Sequence, residues 1–189
     1  MPTQNNPSAT TQNNATTQNN SNPSTTQNTT KTNNSSDAIK KVVQRFVQEC
    51  WNQGNLNAAS DFLTDRVRFH DPVFPNLRPG IDNIKDHIEE TRSAFPDLKF
   101  TIEDTIAERN EVVVHWTFRG THKGQFLGMQ PTNLQVTLDG TSIYRLEGSK
   151  IAEGYANWNL ASMMQQLGVI QLPHEARLNA NYEVAQGTR

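Results

Sequence analysis

Four residues stand where imidazole and carboxylate groups could pass a proton or hold a metal. They are His122, Asp139 and the neighbours His70 and Asp71, which end an apolar-polar run just before Pro72. Each also has a plainer reading: His122 as a rim histidine, Asp139 as a turn aspartate before Gly140, and His70–Asp71 as a strand-end turn. Glu153 is open between a pocket position and an exposed strand position. A metal could be drawn between His70, Asp71 and His122, but no HxxxH or CxxC spacing supports it, and no metal is expected. No Gly-rich phosphate loop and no Ser or Cys nucleophile motif occurs. His115 alternates with Thr117 and Arg119 and is expected at the surface or in a dimer interface. His87 reads as lying on a polar helix face, in solvent. His174 falls in the C-terminal tail.

The elements that must position these groups follow from periodicity. Ser36 reads as a helix N-cap with Asp37 in the first turn. Ile39, Val42, Val43, Phe46, Val47, Cys50 and Trp51 follow at helical spacing, and Gly54 ends the helix. A second helix covers Ala58 to Leu63, and a strand runs from Arg66 to His70. Gly80 opens a third helix with Ile81, Ile84, Ile88 and Phe95 near one face, closed by Pro96. Strands follow at Lys99–Ile106, Glu111–Thr121, Leu134–Leu146 and Ile151–Trp158. Asn159 caps a last helix that stops at Gly168. Adjacent antiparallel strands with helices on one face make an α+β fold. Gly120, Gly140 and Gly154 suit strands that bend, so a cone-shaped, curved antiparallel sheet packed on helices is expected.

In Glu111–Thr121 the even positions Val112, Val114, Trp116 and Phe118 are bulky and apolar and should face the helices. His122 continues that parity, which places it at the cone's mouth. Leu134, Val136 and Leu138 share a face that excludes Asp139. Ile143 and Tyr144 are both bulky, so a bulge at Gly140 is expected, which could turn Asp139 inward. Trp51, Trp116, Phe118, Tyr144, Tyr155, Trp158, Met163 and Met164 can supply the walls of a concave apolar pocket.

Composition separates this core from two tails. The chain has 189 residues and a formal net charge of -2, which suits one domain plus tails and points to neither nucleic acid nor an anionic membrane. Residues 1–36 repeat TQNN at 3–6, 11–14 and 17–20, contain no aromatic, Leu, Ile or Val, and carry only Lys31 as a basic residue. Such a segment is expected to be disordered. The domain is expected to span 37–170, with a loose polar tail at 171–189. The single cysteine, Cys50, excludes an intrachain disulfide and reads as a small core residue. No apolar run is long enough to span a bilayer, and the N-terminus lacks a basic-then-apolar signal pattern, so a cytoplasmic protein is expected.

The runs "VVQRFVQECWNQGNLNAASDFLTDRVRFHDP", "RPGIDNIKDHIEETRSAFPDLKFTIED", "VVVHWTFRGTHKGQFLGMQPTNLQVTLDG" and "YRLEGSKIAEGYANWNLASMMQQLG" resemble the SnoaL-like polyketide cyclases of the wider NTF2-like superfamily, over about residues 38 to 168. The resemblance implies intramolecular aldol ring closure without metal or cofactor, by an acid/base carboxylate and a neighbouring histidine inside the cone. His122 in "GTH" matches the family histidine, and Asp139 in "VTLDG" is the nearest carboxylate. Relatives carry an acid or histidine where this chain has Ser142. If the family acid belongs there, this chain lacks it.

Three functions follow as expectations. The first is acid/base catalysis on a small apolar carbonyl compound, with His122 and Asp139 catalytic and His70, Asp71, Trp51, Trp116, Phe118, Tyr144, Tyr155 and Trp158 binding substrate. The second is another cofactor-free reaction in the same cone, such as epoxide opening, which would need Asp71, Arg119 and Asp139 across one pocket. The third is a non-catalytic binding or assembly module. A homodimer through the open sheet face is expected in each case.

Overall fold

The computed structural model describes residues 36–171. The two tails expected at 1–36 and 171–189 fall, but for Ser36 and Gln171, outside the described residues, as does His174.

Helix α1 covers 36–46 and passes without a break into one wider π-helical stretch, Val47–Asn52. Ser36 is already helical, so it is not the cap expected of it. After a short 3₁₀ turn, Leu56–Ala58, α2 (Ala59–Phe62) leads directly into β1 (Leu63–His70). Then come α3 (Ile81–Ala94), β2 (Lys99–Glu108), β3 (Glu111–Thr121), β4 (Gln135–Glu147), β5 (Lys150–Trp158) and α4 (Leu160–Gln166), capped by the Asn159 side chain, which accepts from Ser162 N–H.

The five strands lie in the order β1-β5-β4-β3-β2. β2 to β5 form an antiparallel meander, as expected. β1 does not: it pairs parallel to β5, so the curved sheet is mixed rather than wholly antiparallel. Short turns join β2 to β3 and β4 to β5 and force antiparallel neighbours. β1 is joined to β2 through α3, a connection long enough to place the two strands at opposite edges.

Alternation gives the sheet two unlike faces. Val112, Val114, Trp116 and Phe118 of β3 are buried against the helices. The outer face carries a cross-strand row Ile106–Val113–Ile143–Tyr155–His70 that spans all five strands. A charged row runs beside it. Arg145 bonds Glu111 at 3.0 Å and Glu153 at 2.8 Å, and Glu153 bonds His70 at 2.9 Å. Chiefly through His70, this row holds the Glu153 carboxyl below its ordinary range.

The π-helical stretch is fixed from two sides. Arg92 of α3 donates to the carbonyls of Trp51 (2.6 Å) and Asn52 (2.9 Å). The Asn52 side chain accepts from Phe100 N–H (2.7 Å) and donates to Phe100 C=O (2.9 Å), as a further strand residue would. These bonds satisfy carbonyls that the helix end leaves open and aim Trp51 between the helices and the sheet.

Candidate functional site

Between the inner sheet face and the helices lies a cavity of about 110 Å³. Its walls are aromatic. Trp51 packs edge-on to Phe100 (5.2 Å), Phe100 on Trp116 (5.2 Å), and Phe95 on Phe118 (5.4 Å). The polar residues among them are His70, Asp71, His87, Thr91, Ser142 and the aromatic phenols Tyr144 and Tyr155. No Lys or Arg borders the cavity.

His87 is the central polar group. It is on α3, where Ile84, His87, Ile88 and Thr91 follow at i, i+3, i+4 and i+7, one stripe of a helix. The expectation that His87 is solvated is therefore wrong: it is buried. Its ring lies 4.6 Å from the Phe74 ring and 5.8 Å from Trp51. Among the described residues no protein group hydrogen-bonds to that ring. Burial pulls its pKa below 6.5, opposed by the negative charges of Asp71 and Glu90. At neutral pH the ring is thus uncharged and keeps a free nitrogen acceptor.

Asp71 follows β1 and is held by two donors. Trp158 Nε1–H donates to Oδ2 (2.9 Å) and Val73 N–H to Oδ1 (2.8 Å). Its charge favours the protonated form of His87. On the sheet side Trp116 Nε1–H donates to Ser142 Oγ (3.0 Å), and the serine O–H can donate to the Tyr144 phenol oxygen or into the cavity. Tyr144 is buried and its pKa is pushed up to about 12 by that burial, with Ser142 opposing, so the phenol stays protonated. A neutral base beside a carboxylate thus shares the cavity with neutral hydroxyl donors.

All eight residues expected to bind substrate border this cavity: His70, Asp71, Trp51, Trp116, Phe118, Tyr144, Tyr155 and Trp158. Two of them differ from the rest. The His70 and Tyr155 rings stack on each other (4.4 Å, 12°) in the outer-face row, with His70 turned to Glu153.

The expected catalytic pair is not brought together. Asp139 is exposed and lies opposite Thr117 on the outer face. The bulge that would have turned it inward is absent: β3 and β4 keep register from Glu111↔Arg145 to Thr121↔Gln135. Ile143 and Tyr144 are both bulky because Ile143 belongs to the outer apolar row while Tyr144 faces in. This strand presents Leu138, Ser142 and Tyr144 to the cavity, and not Asp139. His122 does keep the inward parity and is fully buried, but it does not border the cavity. Phe95, turned down onto β3 ahead of Pro96, stacks on it at 5.4 Å and screens it. Its Nδ1 accepts from Thr132 N–H (3.3 Å), and Nε2 has no partner. Desolvation lowers its pKa, opposed by the Gly124 backbone. His122 thus stands behind Phe95, outside the cavity lining.

Arg119 and His115 are exposed on the outer face, so no Asp–Arg–Asp set crosses the cavity. Cys50 is buried, and burial chiefly raises its thiol to about 11. Among the described residues no group of three or more His, Cys, Asp or Glu could hold a metal ion, and no helix is long and apolar enough to cross a membrane.

A family model described as SnoaL-like polyketide cyclase matches residues 41–167. No curated protein matches the chain. Among solved structures, TsrD from Streptomyces laurentii is similar over 71% of this chain and 97% of its own, with 22% identity and a TM-score of 0.65. A SnoaL-like polyketide cyclase from Agrobacterium tumefaciens is 21% identical over 69% of this chain and 98% of its own, with a TM-score of 0.59. A hypothetical protein with a ketosteroid isomerase-like fold from Catenulispora acidiphila is 17% identical over 70% and 97%, also with a TM-score of 0.59. At these identities the three structures support the fold alone.

Proposed function

The chain belongs to the SnoaL-like polyketide cyclase family, and on that premise we propose that it is a cofactor-free acid/base catalyst on a small apolar carbonyl compound, with His87 as the base and Asp71 as its partner. The observation that carries this reading is His87: a buried imidazole, uncharged at neutral pH, with no protein hydrogen bond to its ring and a carboxylate acting on it.

The chemistry needs a proton removed from the carbon beside a carbonyl and a donor for the oxygen that becomes negative. His87 takes the proton, and Asp71 stabilises the imidazolium that forms. The electron pair left on carbon is shared with the carbonyl oxygen, toward which the Ser142 and Tyr144 hydroxyls can donate. In an aldol closure that pair forms the new carbon–carbon bond to a second carbonyl of the same substrate. The second oxygen then takes the proton back from His87. The aromatic walls fold the substrate and exclude water. Ser142 stands on the strand and face where a carboxylate would be most direct, and Asp71 supplies one from β1's end instead.

The first half of this sequence can be tested without the natural substrate. In D₂O the protein should exchange the methyl protons of acetophenone above the buffer rate, followed by proton NMR. Asp71→Asn should slow that exchange about tenfold or more, the loss of roughly one charge–charge interaction. Exchange no faster than buffer alone, or an unimpaired Asp71→Asn, would overturn the assignment.

A further inference from the structure

At about 110 Å³ and partly open, the cavity is of the same order as the roughly 150 Å³ that houses a benzene molecule in an apolar protein interior, room for one ring but not for two. A second hollow, about half of it polar, lies just outside, between α3 and the loop after β3, bordered by Asp86, Glu89 and Glu90. Phe74, Thr91 and Phe126 border both spaces. Phe126 is the part of that wall that reaches deepest: it is 8% exposed and packs edge-on to Phe74 (6.0 Å) and Phe95 (5.2 Å).

The backbone presents Phe126 in an unusual way. Phe126 N–H donates to Met129 C=O (3.1 Å) and Met129 N–H to Phe126 C=O (2.8 Å), closing a two-residue hairpin. The two turn residues, Leu127 (φ 49°) and Gly128 (φ 78°), both have positive φ, as in a type I′ turn. Asn or Gly is favoured at the first of these positions, and leucine is strained there. Leu127 is also exposed, so neither its conformation nor its packing explains the turn. What the turn achieves is to fold Phe126 back over the cavity.

We propose that Phe126 sets the size limit of the site, which admits a single six-membered ring, or an open chain of that bulk, and refuses fused rings. The inference rests on the proposal that the cavity is the ligand site. A second fused ring would have to occupy the space of the Phe126 ring, beyond which lies the hollow of Asp86, Glu89 and Glu90. Removing that ring joins the two spaces. The site is thus fitted to closing or isomerising one ring rather than to extending a polycycle.

Binding of acetophenone and 2-acetonaphthone, which differ by one fused ring, tests this by calorimetry on the full chain. Wild type should bind 2-acetonaphthone at least about tenfold more weakly than acetophenone, the size of a modest overpacking penalty. Phe126→Ala should erase that preference by gaining 2-acetonaphthone binding. Phe126→Leu should gain part of it, and it carries the comparison if the alanine variant does not fold. Leu127→Asn relaxes the turn without touching the wall and should keep the wild-type preference. Equal binding of both ketones by wild type, a folded Phe126 variant with no gain, or a Leu127→Asn variant that also admits 2-acetonaphthone would overturn the size limit while leaving the proton-transfer assignment standing. Binding of neither ketone by any of these proteins would overturn both.

Discussion

Replacing His87 by glutamine should lower acetophenone exchange about 10²- to 10⁴-fold, the range that a positioned general base supplies. Glutamine is of similar size and polar, so the variant should remain folded, with acetophenone affinity close to wild type. The pH profile distinguishes a base from a wall. The working form of His87 is neutral, and burial lowers its pKa from 6.5. Wild-type exchange should therefore rise with pH through a midpoint below 6.5 and be level above it. Between those limits the folded protein holds fewer protons than the unfolded chain, so acid protonates His87 late and switches the site off late. His87→Gln should lose the rising limb along with the rate. A variant with wild-type rate, or with low rate but an unchanged midpoint, would show that another group is the base.

The second large effect is expected at Gly140. A Cβ there would overlap the Trp116 ring, which crosses β4 at this point, and would stand 2.8 Å from the Asn157 carbonyl oxygen. Gly140→Ala should destabilise the fold by about 1–3 kcal/mol, as an added methyl does in a closely packed place. The indole must swing away, so its hydrogen bond to Ser142 breaks and its ring enters the cavity. Thermal denaturation should show the loss of stability, tryptophan emission should shift, and acetophenone binding should fall. In a Trp116→Leu background the cost of the same methyl should shrink, because the atoms it meets are gone. A Gly140→Ala protein as stable as wild type would mean that Trp116 does not cross the strand as described.

Much of this architecture was legible in the sequence because burial imposes a period. The Val112–Phe118 alternation and the Ile84–Ile88 stripe each name a buried face without any knowledge of the partner. The six aromatic residues expected at the pocket were found in that way, from parity and aromatic content, whereas His70 and Asp71 were read from their place at a strand end. The parallel β1–β5 pair was not legible. A strand's own pattern says which face is buried but not which edge it joins when a helix intervenes. Asp139 was misplaced because two adjacent bulky residues, Ile143 and Tyr144, looked like a slip in register. A sheet with an apolar row on its outer face produces the same pattern without a bulge. His87 was misread for the opposite reason. Its neighbours Asp86, Glu89 and Glu90 made the segment look polar, although the spacing from Ile84 to His87 to Thr91 already put it on the buried stripe. His122 had the right parity, but only packing could reveal that Phe95 lies over it.

The account turns on whether a neutral His87 faces the ligand. Histidine-labelled protein, observed by long-range ¹H–¹⁵N NMR across pH with and without acetophenone, reads this directly. The account predicts a His87 midpoint below 6.5 and His87 ring signals that move when the ketone binds. A midpoint at or above 6.5, together with ring signals that ignore the ketone, would contradict it.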